Sequence, residues 1–113
     1  MTEFWEAMKT LVAAGRLVID RPRGSRHPRY PAIVYPLDYG YLEGTTTVDG
    51  GGVDVWRGSL SDEKIVGALC TVDLVKRDAE VKILIGCTEQ EIAFVCDFCN
   101  EGPMRACLIP RER

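Results

Sequence analysis

The 113-residue chain has no apolar run long enough to span a membrane, which takes roughly 18 residues or more. Its net charge is only −3, so it has neither the basic surplus of a nucleic-acid binder nor the acidity of a disordered tail. It has a single histidine, His27, so histidine-rich metal sites are excluded. The five cysteines, Cys70, Cys87, Cys96, Cys99 and Cys107, are an odd number. Met1–Gly15 carries Glu3 and Glu6 and lacks a basic stretch followed by an apolar one, so it does not read as a leader. Free thiols and the missing leader lead us to expect a cytoplasmic protein. Cys96-x-x-Cys99 has no second ligand pair to make a zinc site. It also falls late in an expected helix, whereas a redox pair opens one. These cysteines read as packing residues. No internal repeat or linker divides the chain, so residues 1–113 are expected to form one domain.

Apolar spacing over residues 3–14 predicts an amphipathic helix with Phe4, Met8, Leu11 and Val12 on its buried stripe. Leu17–Asp20 reads as a short strand. Arg21–Pro36 holds four of the six prolines together with Arg21, Arg23, Arg26 and Arg29, and is expected to be an extended loop. Tyr39–Leu42 and Val53–Trp56 read as strands. Ile65–Lys76 and Glu80–Ile85 form an expected hairpin. A second helix is predicted over Glu89–Asn100, and a last short strand over Met104–Ile109. The sum is α+β, mainly β: a small OB-like five-stranded barrel with flanking helices.

Four segments could carry chemistry. In Asp49-Gly-Gly-Gly-Val-Asp54 a glycine turn can aim two carboxylates at one cation. In Glu80-Val-Lys82-Ile-Leu-Ile85 strand alternation sends Val81, Ile83 and Ile85 to the core and puts Glu80 and Lys82 together on the other face. The arginine-rich loop offers guanidinium forks to phosphate oxygens. Tyr35-Pro-Leu-Asp-Tyr39-Gly-Tyr41 brings three tyrosines into seven residues. Taken singly, each reads more readily as a surface turn, a solvated charge pair, a basic loop or strand packing than as a site.

Their order along the chain resembles soluble family I inorganic pyrophosphatase. That family reads Tyr-Pro-x-Asn-Tyr-Gly-Tyr/Phe, then Asp-Gly-Asp-Pro-Leu/Val-Asp-Val, then Glu-x-Asp-x-Lys. The resemblance runs over roughly residues 18–85 and is most specific from Tyr35 to Val55. It implies an inorganic diphosphatase: Mg²⁺-dependent hydrolysis of pyrophosphate to two phosphates, with Mn²⁺ as a substitute metal. Matched residue by residue, it implies metal binding by Asp49, Asp54 and Glu80, with Asp78 and Asp20 as further metal-side acids. It implies phosphate binding by Arg29 and Lys82, and places Tyr39 and Asp54 at the reacting centre. Gly51 stands where the family has an acid assigned to the attacking water. Alternatives kept open are a hydrolase of another phosphoanhydride or phosphoester, and a non-catalytic phosphate- or nucleotide-binding module. The expected partner is a small phosphate compound, with no nucleic acid or membrane. A homo-oligomer is expected, because a barrel this small with Trp5 and Trp56 would leave apolar surface to cover.

Overall fold

The computed structural model describes residues 2–111. Helix α1 (Thr2–Ala14) is followed by β1 (Arg16–Arg21), β2 (Asp38–Glu43), β3 (Val53–Arg57), β4 (Ile65–Asp73) and β5 (Asp78–Ile85). Helix α2 (Glu89–Phe98) and β6 (Met104–Pro110) complete the chain. All six strands join one sheet in the order β1-β2-β3-β5-β4-β6. Five strands were expected in the barrel. The sixth joins because β6 pairs with β4 along the ladder from Gly67↔Pro110 to Asp73↔Met104. Every pair is antiparallel except β3 with β5, which run parallel. The architecture is thus mainly β with two helices, as the sequence predicts.

Strand alternation divides the core between the two faces of the sheet. Val55, Ala68, Ile83 and Ile85 pack with Trp5 and Met8 of α1. Trp56, Leu69 and Leu84 pack with Val95 of α2 and with Tyr35 and Leu37. On α1 the buried positions are Trp5 and Met8, with Val12 packed behind them. Phe4 and Leu11, expected inside, are 41% and 38% exposed. The larger indole takes the core position, and Phe4 lies edge-on against it with ring centroids 5.0 Å apart. Both tryptophans are buried, so neither contributes to an apolar surface. The exposed apolar residues of the hairpin are Val72, Leu74, Val75 and Val81.

Helix α2 begins in a capping box: the Thr88 hydroxyl accepts from the Glu91 amide while Glu91 accepts from the Thr88 amide. Glu91 also accepts from the Ser59 amide, tying the helix start to the β3–β4 loop. Cys96 lies in the last turn of α2 and Cys99 is its C-cap, far from the N-terminal position that would activate a thiol.

Three local features depart from the simplest reading. Strand β4 ends at Asp73 rather than Lys76, because the Asp73 carboxylate accepts from the Val75 and Lys76 amides and turns the chain. The Arg21–Pro36 segment is folded back rather than extended: an Arg26↔Val34 bridge joins its limbs, and Tyr35 accepts from Gly24 and donates to Ser25. In β1 the register passes from Ile19↔Gly40 to Arg21↔Tyr39, leaving Asp20 unpaired in a bulge. At Gly40 the β1 backbone comes so close that a side chain would overlap the Val18 carbonyl. The Tyr-Gly-Tyr pattern therefore reflects both tight strand packing and the two rings beside it.

Candidate active site

On β5, Glu80, Lys82 and Leu84 alternate onto one face, and on β3 Asp54 and Trp56 do the same. The parallel register Val55↔Ile83, Trp56↔Leu84 brings Asp54 level with Lys82. Helix α2 packs over the Trp56–Leu84 end of this face. The beginnings of both strands, carrying Asp54, Glu80 and Lys82, are left for polar groups. Strand β2 flanks them, with Tyr39 opposite Trp56 and Tyr41 opposite Asp54.

The Lys82 ammonium is the centre of the cluster. It lies 2.9 Å from Asp54 Oδ2 and donates to the Tyr39 hydroxyl at 2.8 Å. Its side chain is only 8% exposed, and that of Asp54 is 23% exposed. A buried ammonium is retained only where partners offset its lost hydration; here they are the Asp54 carboxylate and the Tyr39 phenol oxygen. Burial, and then the Asp54 charge, push the Tyr39 phenol well above its ordinary range, so it stays protonated. Tyr39 packs on Trp56 at 4.5 Å and on Tyr35 at 5.7 Å between centroids.

Beside this cluster opens a depression of about 370 Å³, lined by Tyr41, Asp49, Gly50–Gly52, Asp54 and Glu80. The Asp49 carboxylate accepts from the Thr47 hydroxyl and, at 3.0 Å, from the Gly51 amide. These bonds hold its pKa below the usual carboxylate value. Gly50 makes the turn with φ of 87°, a left-handed conformation that glycine adopts without strain. Burial raises the pKa of Glu80, and repulsion from Asp54 and Asp78 adds to it despite the attraction of Lys82. Three acids thus share one concavity, and Lys82 adjoins it through Asp54.

Of the residues picked out in the sequence, Asp49, Asp54 and Glu80 line the depression, and Lys82 and Tyr39 adjoin it through Asp54. Asp78 stands two residues before Glu80 at the start of β5 and is outside the lining. Asp20 is exposed, at the β1 bulge. Arg29 is exposed on the folded loop, where its amide donates to His27 Nδ1. A different arginine is closer to the tyrosines: Arg21 donates to the Tyr35 hydroxyl at 3.0 Å and lies over its ring. Ladder position indicates it, since the bulge puts Arg21 opposite Tyr39, but the bulge is invisible in composition. Tyr41, the last of the three tyrosines of the Tyr35–Tyr41 segment, lines the depression, two residues beyond Tyr39 on β2.

No protein-family model and no curated protein sequence matches the chain. A solved structure does: an inorganic pyrophosphatase from Neisseria gonorrhoeae superposes with a TM-score of 0.68. The match covers 88% of this chain and 84% of that one, at 18% sequence identity. The two share a fold. It is the fold expected from the Tyr35–Lys82 pattern.

Among the described residues no three acidic, histidine or cysteine side chains are grouped closely enough to form a ready-made metal cage. Mg²⁺ does not require one. It keeps several waters and is commonly held by one or two carboxylates together with substrate phosphates. Asp54 and Glu80, close enough for mutual repulsion to raise the Glu80 pKa, suit that mode of binding, with Asp49 across the depression.

Proposed function

We propose that the chain is an Mg²⁺-dependent hydrolase of inorganic pyrophosphate. The observation that carries this reading is the Lys82–Asp54–Tyr39 cluster, which adjoins through Asp54 a depression lined by three carboxylates, on a fold shared with a pyrophosphatase. Carboxylates alone would repel a polyanion, so the pairing of acids with a phosphate substrate calls for a divalent cation. Asp54, Glu80 and Asp49 would hold it. When bound, Mg²⁺ supplies charge neutralisation and water activation.

The protein groups have separable tasks. Lys82 is held in place by Asp54 and Tyr39 and would neutralise a phosphoryl oxygen as charge builds on the leaving phosphate. Tyr39, kept protonated by its surroundings, would donate a hydrogen bond to the same phosphate or to the attacking water. Attack of water on one phosphorus breaks the bridging P–O bond and releases two phosphates. Arg21, beside Tyr35, fits the outer oxygens better by position than Arg29 does.

A second reading draws on Gly51. The depression wall at that point has no side chain, so Asp49, Asp54 and Glu80 are its only acids. A site that holds its cation with these three would lack a spare carboxylate to take the proton from water. That arrangement suits a slower hydrolase of another phosphoanhydride or phosphoester, or a phosphate-binding module. Phosphate release from pyrophosphate, measured with and without Mg²⁺, tests the first reading. Turnover that needs Mg²⁺ and falls about a hundredfold or more in Asp54→Asn supports it. No release with Mg²⁺ or Mn²⁺ sinks it, and a screen of nucleotides and sugar phosphates then separates the remaining two.

A further inference from the structure

The opposite face of the sheet carries a second concavity, of about 340 Å³, that the hydrolytic site does not use. It lies between the end of α1 and the first strand. Its floor is apolar: Val12, Leu17, Leu42 and Ile85. Three charged side chains line it, Arg16, Arg57 and Glu63. Arg16 is already neutralised by Glu43 at 3.1 Å. Arg57 and Glu63 are not. Among the described residues the ion pairs are Arg16–Glu43 and Lys82–Asp54, so Arg57 and Glu63 face one groove without pairing to each other or to another side chain.

The Arg57 guanidinium is nonetheless fixed. One nitrogen donates to the Gly58 carbonyl at 3.1 Å and reaches the Ile85 carbonyl at 3.4 Å. The same nitrogen lies so close over Gly86 that a side chain there would overlap it. A half-buried arginine held in this way by a single nitrogen keeps its remaining donors free. Arg57 is three residues from Asp54 on β3, roughly 10 Å along the strand, and alternation puts the two on opposite faces.

We propose that this groove is a second binding site, for a free α-amino acid with an apolar side chain. Charge complementarity selects that class. A phosphate or dicarboxylate would be repelled by Glu63, and a simple amine by Arg57. A zwitterion satisfies both: its carboxylate meets the free Arg57 donors, its ammonium meets Glu63, and its side chain covers the apolar floor. Its two charges also bridge groups that do not reach one another.

The test is a ¹H–¹⁵N NMR titration of the full chain with L-leucine. Two fragments serve as controls, 4-methylpentanoate, which lacks the ammonium, and 3-methylbutylamine, which lacks the carboxylate. The expected result is saturable shifts at Leu17, Arg57 and Ile85, with a Kd on the order of 1 mM. Each fragment should bind roughly ten- to a hundredfold more weakly, the range for losing one charge-assisted contact. Glu63 is exposed, so Glu63→Gln should fold normally and weaken leucine binding about tenfold while leaving 4-methylpentanoate unaffected or improved. Arg57→Gln, if folded, should abolish the preference for the carboxylate. Absence of saturable shifts to about 20 mM leucine, well above that expected Kd, would overturn the proposal. So would equal binding of leucine and either fragment, or leucine binding unchanged in Glu63→Gln. None of these readouts depends on pyrophosphate turnover.

Discussion

Replacing Asp54 by Asn removes the carboxylate partner of an ammonium that is almost wholly buried. At 2.9 Å and an effective dielectric of about 20, the Lys82–Asp54 attraction is about 6 kcal/mol before desolvation is counted. Removing one partner of a fully buried pair typically costs roughly 3–5 kcal/mol. Here Asp54 keeps 23% of its side-chain surface in water, the Tyr39 hydroxyl still accepts, and Asn retains an oxygen. The expected loss is therefore about 2–3 kcal/mol, below the range for a fully buried pair. In urea this moves the unfolding midpoint down by roughly 1–2 M. The discriminating variant is Asp54→Asn with Lys82→Met. With the stranded charge gone, most of the lost stability should return, giving a coupling of about 2 kcal/mol in the double-mutant cycle. A single Asp54→Asn within about 0.5 kcal/mol of wild type, the size of ordinary surface effects, would show that no charge is stranded. It would mean that water reaches Lys82 freely.

Glu80 gives a pH signature. Its folded pKa is raised by burial and by Asp54 and Asp78, so the folded chain holds this proton more tightly than the unfolded chain does. The resulting stability is fully present below the unfolded carboxyl value and is lost as pH rises through the raised folded value. Glu80→Gln should accordingly be more stable than wild type at neutral pH in metal-free buffer, with the gap closing towards about pH 4; the check is urea unfolding across that range. Gly51→Asp has room, since a Cβ there meets only Asp49 Oδ1 at 3.4 Å and Thr47 Oγ1 at 4.0 Å. It should raise Mg²⁺-dependent hydrolysis, by about a hundredfold if the new carboxylate serves as the missing base. The same assay on wild type and variant reads this directly, and an unchanged rate would show that Gly51 is not the deficit. Burial pushes the Cys87 thiol up to about 12 and Cys99 to about 11, whereas Cys107 is exposed. A disulfide reagent at neutral pH should modify Cys107 first and reach Cys87 and Cys99 only at the unfolding rate.

Much of this arrangement is legible in the sequence because period-two alternation is a strong local signal. Glu80 and Lys82 separate cleanly from Val81, Ile83 and Ile85, and Asp54 separates from Val55. The spacing of Tyr39, Asp49, Asp54 and Lys82 along the chain led to a fold that the superposition bears out. The illegible parts depend on contacts distant in sequence. The parallel β3–β5 register that sets Asp54 against Lys82 is fixed by tertiary packing. The β1 bulge, which leaves Asp20 unpaired and brings Arg21 opposite Tyr39, has no compositional mark. On α1 Trp5 rather than Phe4 packs against the sheet, so the helical period alone chose the wrong ring. Cys96-x-x-Cys99, by contrast, is legible: its late place in the expected helix is where the structure puts it, at the end of α2.

On the proposed function, a cation bound among Asp49, Asp54 and Glu80 works with Lys82 to split pyrophosphate. Its most direct test is phosphate release from pyrophosphate by the purified chain, titrated with Mg²⁺ and repeated with Asp54→Asn. The expected result is no release with the metal chelated, saturable release as Mg²⁺ is added, and near-complete loss in the variant. Release that survives chelation, or that is unchanged in Asp54→Asn, would contradict it.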